Sequence, residues 1–307
     1  MARVLVTRAL PGSALERLVA AGHEVDVWPD RLPPGADELR ARAAGSEALL
    51  TMLSDRIDAP LISSLPELKV VANYAVGYDN IDLDACRERG VVVTNTPDVL
   101  TDATADLTMA LLLAAARRLP EAEASVRAGD WRTWEPAGFL GADLNGSTLV
   151  LYGGRGRIAQ AVARRAEAFG MRVVTVGRGD DLTAAVADAD FISLHAPLTD
   201  QTRHVIDAEL LSAVKPGAIL VNTARGQLVD QVALRAALID GTLSGAALDV
   251  TDPEPLPPAD PLLQAPNLIV LPHIGSAGKD TRARMAEICV DNILAALSGE
   301  PVPSNLA

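Results

Sequence analysis

The chain has 307 residues, enough for two domains of ordinary size, and 49% of them are apolar, which suits large buried cores. A formal charge of −13 argues against nucleic acid as a partner, because phosphate binding requires a basic surface. No apolar run reaches membrane-spanning length, and Met1 leads directly into a strand pattern with no room for a signal peptide, so we expect a cytoplasmic protein.

Strand and helix patterns alternate through the first part of the chain. Predicted strands cover Arg3–Thr7, His23–Trp28, Ala48–Met52, Leu68–Asn73 and Val91–Asn95. Predicted helices between them cover Ser13–Ala21, with Ser13 as N-cap and Gly22 as its stop, Ala36–Ala44, Pro60–Ser64 and Leu83–Arg89. Such alternation is typical of parallel strands joined by helical crossovers, so the first lobe is predicted to be doubly wound.

A boundary is predicted at Thr96-Pro97-Asp98, because proline restrains the residue before it. A long helix pattern, Thr101–Arg118, follows, with Thr101 or Asp102 as its cap. The next stretch, Glu121–Leu144, is polar, contains two tryptophans and receives no assigned element.

A second strand and helix series follows. Its predicted strands are Thr148–Tyr152, Arg172–Val176, Asp190–Leu194, Ala218–Asn222, Ala246–Val250 and Leu268–Leu271. The last helix pattern, Thr281–Leu297, ends at Gly299. The predicted fold class is therefore α/β, with two doubly wound parallel-sheet lobes. Cys86 and Cys289 lie in helix patterns without metal-ligand spacing, so we expect buried thiols and no metal site.

The stretch Leu149–Ala159 runs from an apolar strand through a glycine turn into a helix pattern that starts near Arg157. Gly154 is predicted to permit the tight turn, and Gly156 to let the backbone approach a pyrophosphate at the helix N-terminus. The third fingerprint position holds Ala159. Because glycine turns between a strand and a helix often bind nothing, the fingerprint alone does not decide between a binding and a structural role.

Polar sets also follow the carboxyl ends of predicted strands, where ligands bind in open α/β sheets. They occur in the segments Val76–Asp82, Asn222–Gly226, Leu248–Pro255 and Pro272–Ala277.

Together with the glycine turn, these motifs resemble the D-isomer-specific 2-hydroxyacid dehydrogenase family over essentially the whole chain. The segments Val99–Asp106, Trp131–Trp134 and Gly299–Ser304 resemble those of its glyoxylate/hydroxypyruvate reductases. The resemblance implies NAD(P)H-dependent reduction of a short 2-keto acid to a D-2-hydroxy acid or glycolate. It also implies a Rossmann dinucleotide-binding domain at 98–279 and a smaller flavodoxin-like substrate domain formed by 1–97 and 280–307.

The resemblance also implies a catalytic set of Arg225, Glu254 and His273. Reduction of a 2-keto acid requires these residue types for chemical reasons that do not depend on the resemblance. A planar guanidinium can hold the substrate carboxylate and polarise the ketone. An imidazole can give a proton to the developing alkoxide, and a carboxylate beside it favours the imidazolium. Each residue alone also has a structural interpretation: Arg225 could pair with Asp230, Glu254 could be a solvated loop carboxylate, and His273 could be a satisfied histidine at a strand end.

Further cofactor contacts follow from the resemblance. They are Thr104, Gly154, Arg155, Gly156, Arg157, Ile158, Gly177, Arg178, His195, Pro197, Thr202, Thr223, Ala224, Asp249, His273 and Gly275. Of these, His195 is expected to have a structural role or to contact the cofactor through its backbone rather than to be catalytic.

The end of the second strand of this lobe bears on the choice of dinucleotide. An NAD-specific fold places Asp or Glu there, whereas this chain has Gly177 followed by Arg178. A guanidinium can bind a 2′-phosphate, so NADP(H) is favoured over NAD(H). Asp180 and Asp181 argue the other way, and Arg178 could be a solvated turn residue.

For the substrate, the resemblance implies that the backbone of Val76 and Gly77 grips the carboxylate, that Leu53 borders the pocket, and that Arg225 binds the same molecule. Trp134 resembles a tryptophan that reaches the neighbouring subunit's active site. This implies a homodimer formed through Thr101–Leu144. The alternative for Trp134 is an ordinary packed aromatic side chain on the dimerisation arm.

Two rival hypotheses stay open at this point. One is a non-enzymatic dinucleotide-sensing or corepressor-like binding protein, which the intact set of Arg225, Glu254 and His273 disfavours. The other is a different dehydrogenase of the family, acting on phosphoglycerate or phosphite.

Overall fold

The computed structural model describes residues 1–306, which form two compact units. Unit 1 contains Met1–Leu100 and residues 276–306, and unit 2 is Thr101–Gly275. No helix within the described residues has both the length and the apolar character needed to cross a membrane.

Each unit is built on its own sheet. The strands in chain order are β1 Arg3–Val6, β2 Glu24–Val27, β3 Ala48–Thr51, β4 Val70–Asn73, β5 Val92–Thr94, β6 Thr148–Tyr152, β7 Arg172–Val176, β8 Phe191–Leu194, β9 Ala218–Asn222, β10 Leu243–Leu248 and β11 Leu268–Val270. The helices are α1 Ala14–Ala20, α2 Ala36–Ala43, α3 Ala59–Ser63, α4 Leu83–Glu88, α5 Thr101–Ala116, α6 Leu119–Ala128, α7 Arg157–Ala168, α8 Leu182–Val186, α9 Ala208–Ala213, α10 Gln231–Ile239 and α11 Lys279–Ser298.

In unit 1 the strands pair in the order β2-β1-β3-β4-β5, and every pair is parallel. The chain moves outward from β1 to β2 and then returns to the other side of β1. The loops after β1 and β3 therefore flank the point where the strand order reverses, the place where open α/β sheets bind ligands.

Unit 2 repeats this plan with the parallel order β11-β10-β9-β8-β6-β7. Successive side chains alternate between its two faces. Val150 joins the buried cluster under α8, α9 and α10, whereas Leu149 and Leu151 join the cluster under α5 and α7. Both faces are thus covered, which explains the continuous apolar strands. These two sheets confirm the predicted α/β fold class.

Local details differ from the sequence prediction at several helix ends. Ser13 precedes α1 as expected, but its side chain makes no capping hydrogen bond. The helix α5 begins at Thr101 itself, so neither Thr101 nor Asp102 lies at the position before it. Side-chain caps are present at α3 and α4, where Asp58 accepts from Leu61 N–H and Asp82 from Ala85 N–H.

Two elements of unit 2 also depart from the prediction. The helix α6 lies at the start of the polar stretch that received no element, and it buries none of its residues, so it lacks the apolar periodicity that reveals a helix. The strand β10 begins at Leu243, earlier than expected, and the register shifts between Leu243 and Gly245. Serine and glycine in this part of the strand hide its pattern.

The two cysteines are buried free thiols, as expected. Burial raises the pKa of the Cys86 thiol to about 11.

Candidate active site

The glycine turn lies where the strand order of unit 2 reverses. Gly153, directly after β6, has a φ of +82°, and a Cβ there would lie 2.5 Å from the backbone nitrogen of Ala196. The residue that permits the tight turn is therefore Gly153, and the prediction that Gly154 does so is wrong. Gly154 is required for a different reason, because its Cβ would lie 2.6 Å from the Cβ of Thr175.

The turn places glycine backbone, without side chains, next to the start of a helix. Gly156 is the N-cap of α7, which begins at Arg157 as predicted. The first N–H groups of a helix have no intrahelical acceptor and lie at the positive end of its dipole. Since no side chain extends from Gly153, Gly154 or Gly156, the residues present fit the pyrophosphate of a dinucleotide.

His195 follows β8 and adjoins the same turn, since its carbonyl carbon would lie 2.7 Å from a Cβ on Gly153. Its Nε2 shares a hydrogen bond of 2.9 Å with the Ser193 hydroxyl. Although His195 keeps some solvent-accessible surface, the packing around the ring lowers its pKa to about 4. At neutral pH this imidazole is neutral, which suits a structural role and not proton donation.

The loop that follows β8 is closed by threonine hydroxyls. Thr202 donates from Oγ1 to the Pro197 carbonyl at 2.7 Å and accepts from Thr199 N–H at 2.8 Å. These bonds fix the loop that begins with His195.

A short turn follows β7, the edge strand of the sheet. The Asp180 carboxylate accepts from Gly177 N–H at 2.8 Å and lies 3.8 Å from the Arg155 guanidinium. Asp181 caps α8 by accepting from Ala184 N–H at 3.0 Å. Arg178 is exposed, and within residues 1–306 it has no side-chain hydrogen bond or ion pair. Both acidic side chains are thus folded onto the chain, while Arg178 extends into solvent.

The segment after β9 carries Arg225. The buried Asn222 side chain donates to the Arg225 carbonyl at 2.8 Å and accepts from Ala224 N–H at 3.0 Å. The Thr223 hydroxyl bonds to that of Thr108 on α5 at 2.9 Å. Asp230, considered above as a partner of Arg225, caps α10 by accepting from the N–H groups of Val232 and Ala233.

His273 and Glu254 form a direct pair. Nδ1 of His273 lies 2.6 Å from Oε1 of Glu254. Because an ionised carboxylate can only accept, Nδ1 carries the hydrogen of this bond and Nε2 takes no part in it. The exposed fractions of the two side chains are 29% and 42%, so the pair is open to solvent on one side in unit 2.

Asp249 holds the segment that carries His273. Its buried carboxylate accepts from the N–H groups of Ile274 and Gly275, both at 2.7 Å, and its carbonyl accepts from His273 N–H at 2.9 Å. Burial raises the pKa of Asp249, and the two N–H bonds oppose that change. On the other side of the segment, the Thr104 hydroxyl donates to the Gly275 carbonyl at 3.3 Å.

In unit 1, a run of peptide carbonyls after β4 is held in place. The Ala75 carbonyl accepts from Thr96 N–H at 2.8 Å. The Val76 carbonyl accepts from the Asn95 side chain at 2.9 Å, and the Gly77 carbonyl accepts from the Asn73 side chain at 2.8 Å. Because each peptide is planar, these bonds also fix the directions of the N–H groups of Val76 and Gly77.

The loop after β3 is fixed in a similar way. Asp55 accepts from Met52 N–H at 2.7 Å and from the Thr7 hydroxyl. Asn80 donates to the carbonyls of Met52 and Asp55 at 3.1 and 2.9 Å. Leu53, half-buried, lies within this loop.

The polar stretch after α6 leaves its tryptophans uncovered, since Trp134 is 80% and Trp131 70% exposed. Trp134 therefore packs little against the other residues of 1–306.

Sequence reasoning missed several residues that organise these loops. Asn73 and Asn222 end β4 and β9, and both are fully buried. A buried amide at a strand end must satisfy its hydrogen bonds locally, which is the signal that could have identified it. The role of Asn95 is tertiary and has no such local signal.

These features define the class of protein, a dinucleotide-binding oxidoreductase. A parallel sheet with a glycine turn where its strand order reverses is typical of nucleotide binding. A paired imidazole and carboxylate at the same edge of the sheet can donate and accept a proton. The family follows from the comparison with known proteins. Residues 109–275 match the model of the D-isomer specific 2-hydroxyacid dehydrogenase, NAD binding domain. The chain belongs to that family, and its cofactor is a nicotinamide dinucleotide.

Individual relatives cover nearly the whole chain. A glyoxylate reductase of Korarchaeum cryptofilum is 46% identical over 99% of this chain and 95% of its own. Among solved structures, the TT0316 protein of Thermus thermophilus is 53% identical, with a TM-score of 0.95 and coverage of 99% and 100%. The NADPH-dependent glyoxylate/hydroxypyruvate reductase of Sinorhizobium meliloti, solved with NADP and malonate, is 35% identical, with a TM-score of 0.83 and coverage of 100% and 97%.

Proposed function

We propose that this protein reduces a short 2-keto acid, glyoxylate or hydroxypyruvate, to glycolate or the D-2-hydroxy acid with NAD(P)H. The observation that carries the proposal is the 2.6 Å pair of His273 and Glu254, formed at the edge of the sheet where the Arg225 segment also emerges. The names of the relatives support the same activity.

In this proposal Arg225 binds the substrate carboxylate and polarises the ketone oxygen. A guanidinium offers parallel N–H donors to two oxygens, which a point charge does not. Asn222 supports this role because it holds the Arg225 carbonyl and so orients the residue.

His273 is the proposed proton donor. Glu254 accepts from Nδ1, orients the ring and stabilises the imidazolium, so that Nε2 can give its proton to the oxygen of the substrate as the C2–H bond forms. The nicotinamide, when bound, supplies the hydride. We do not propose His195 as the donor, because its Nε2 is paired with the Ser193 hydroxyl and burial lowers its pKa to about 4.

For the cofactor preference we propose NADP(H). Arg178 and the nearby Arg155 support it, because guanidinium groups bind a 2′-phosphate well. Asp180 and Asp181 oppose it by their charge, which Arg155 partly offsets at Asp180, 3.8 Å away.

Unit 1 is the proposed substrate-binding domain, and unit 2 the dinucleotide-binding domain. The fixed N–H groups of Val76 and Gly77 would bind the substrate carboxylate, and Leu53 would border it. The exposed Trp134 supports a homodimer formed through Thr101–Leu144. A cytoplasmic location stays a prediction.

Initial rates test the function. Purified protein is assayed with glyoxylate, hydroxypyruvate and pyruvate against NADPH and NADH, with Arg225→Ala as the comparison variant. We expect the first two substrates to oxidise NADPH rapidly and Arg225→Ala to lose about 10²- to 10³-fold in kcat/KM. A protein that oxidises neither cofactor with glyoxylate or hydroxypyruvate contradicts the proposal and favours the dinucleotide-sensing alternative.

A further inference from the structure

The side chain of Gln231, the first residue of α10, is paired with the backbone of a distant loop. Its Nε2 donates to the Asp252 carbonyl at 2.6 Å, and its Oε1 accepts from Asp252 N–H at 2.8 Å. The amide thus satisfies both polar backbone groups of one residue, as a neighbouring strand would. Nothing in the proposed chemistry above uses Gln231.

Asp252 lies two residues before Glu254, in a loop with few other anchors. Residues 249–260 contain no helix or strand, and Pro253 and Pro255 lack the N–H group that could hold the chain. The additional bonds in this part of the loop are weak or local. Thr251 donates to the Pro253 carbonyl at 2.9 Å, and Gln227 reaches the Asp252 carboxylate at 3.3 Å.

On the α10 side, the two hydrogen bonds between Gln231 and Asp252 lie beside open space. A cavity of about 460 Å³ is lined by both Gln231 and Asp252, together with Asp230, Arg235 and Asp260. This space adjoins the pair, so Asp252 has no close packing on that side beside its two hydrogen bonds to Gln231.

The stretch that ends in Gln231 is also the one that carries Arg225. Gly226, directly after Arg225, lies so close to the loop that a Cβ would be 2.0 Å from the Thr251 carbonyl oxygen and 2.7 Å from the Asp252 nitrogen. Residues 225–231 therefore contact the Glu254 loop at two places, by backbone approach at Gly226 and by the amide at Gln231.

We propose that Gln231 is a positioning residue, which holds the Glu254 carboxylate within hydrogen-bond distance of His273 Nδ1 and in register with the Arg225 segment. This inference rests on the proposed function for its kinetic meaning. The geometric part stands without it, because the pair of His273 and Glu254 can be observed in the protein alone.

The test uses Gln231→Met, which keeps the length of the side chain and removes both hydrogen bonds. Val232→Met is the matched control, since Val232 is the next residue on α10 and is 81% exposed. We expect Gln231→Met to lower kcat/KM for glyoxylate about tenfold while the dissociation constant for NADPH stays within about twofold, and Val232→Met to behave as the wild type.

A double-mutant cycle with Glu254→Gln separates positioning from general damage. If Gln231 acts through Glu254, Gln231→Met has an effect of less than about twofold once Glu254→Gln is present. Equal effects of Glu254→Gln in both backgrounds, or a wild-type rate for Gln231→Met, overturn the inference.

Proton NMR of protein with ¹⁵N-labelled histidine gives a readout that does not depend on turnover. The His273 Nδ1 proton facing a carboxylate resonates far downfield and is assigned by its loss in Glu254→Gln. We expect Gln231→Met to lose it and Val232→Met to keep it, and its persistence in Gln231→Met overturns the inference. Thermal melting checks folding, and Gln231→Glu, which keeps only the acceptor, replaces Gln231→Met if that variant does not fold. An inactive wild type contradicts the proposed function alone.

Discussion

The loops after β9, β10 and β11 and the turn after β7 lie at the same edge of one parallel sheet, but they are held in different ways. Buried side chains hold the loops after β9 and β11, since Asn222 binds the Arg225 carbonyl and Asp249 fixes the segment of His273. The amide of Gln231 holds the loop after β10. The turn after β7 is exposed, and it is held by a hydrogen bond within the turn itself, from Gly177 N–H to the Asp180 carboxylate. We infer that the segments of Arg225 and His273 are fixed by the fold, whereas the turn after β7 can change at small cost to stability.

The largest effect is expected at the firmly held region. His273→Gln removes the transferable proton and should lower kcat for keto acid reduction by about 10²- to 10⁴-fold, measured by initial rates at saturating NADPH. His204→Asn, at an exposed histidine that lies outside the site, is the control and should keep the wild-type rate. A His273→Gln enzyme within threefold of the wild type, where about threefold is the scatter of such assays, would show that another group donates the proton.

Alanine substitutions at two glycines compare the closely packed turn after β6 with the open turn after β7. Gly153 and Gly179 both have positive φ, but a Cβ on Gly179 has no atom of residues 1–306 within 4 Å, whereas one on Gly153 meets the Ala196 backbone. Gly179→Ala should therefore cost only the conformational strain, about 1 kcal/mol in the free energy of unfolding, and Gly153→Ala about 2 to 4 kcal/mol. Denaturant unfolding measures both. Equal losses would show that the turn at Gly153 relaxes as easily as the open one.

A pH effect on stability is expected at His195, between the two regions. Its folded pKa of about 4 lies below the usual value of 6.5, so the unfolded chain takes up a proton first as the pH falls. Stability is complete above about pH 6.5 and is lost between about pH 6.5 and pH 4. His195→Gln should lose about 1 to 2 kcal/mol less than the wild type between pH 7 and pH 5.

Urea unfolding at both pH values measures this difference in the free energy of unfolding, with His204→Asn as the control. If His195→Gln and the wild type lose the same stability on acidification, the neutral buried state of His195 is refuted.

The smallest effects are expected in the turn after β7. Arg178→Ala should raise KM for NADPH about tenfold with little change for NADH, because one charge-assisted hydrogen bond to a 2′-phosphate is worth about 1.5 kcal/mol. Asp180→Asn should lower the ratio of KM for NADPH to KM for NADH, by a smaller factor than Arg178→Ala raises it. Initial rates with the two cofactors measure both ratios. An Arg178→Ala enzyme with an unchanged ratio would make Arg178 a solvated turn residue.

The strands β6, β7 and β9 were predicted to the residue. For β6 and β9 the signal is a run of largely apolar, buried side chains, whereas β7 buries only Val176 and is revealed by its β-branched residues. The pattern was weakest at β10, where Ser244 and Gly245 interrupt it, and at α6, which buries nothing. A family resemblance identified His273 and Glu254 as site residues. The sequence could not predict the 2.6 Å distance between Nδ1 of His273 and Oε1 of Glu254.

The shift of the tight turn to Gly153 was equally beyond the sequence, since two adjacent glycines are interchangeable there until the Ala196 backbone distinguishes them. Tertiary partners such as Asn95 and Gln231 leave no periodic or motif signal at all.

The three held carbonyls of Ala75, Val76 and Gly77 have a consequence for ligand recognition. A peptide whose oxygen is bound cannot flip, so the dipoles of this segment are oriented before any ligand arrives. An anion that binds there does not have to meet the entropy cost of ordering the loop, which is of order 1 kcal/mol for each residue. In the proposed function, the substrate carboxylate therefore meets N–H groups whose directions are set before it binds.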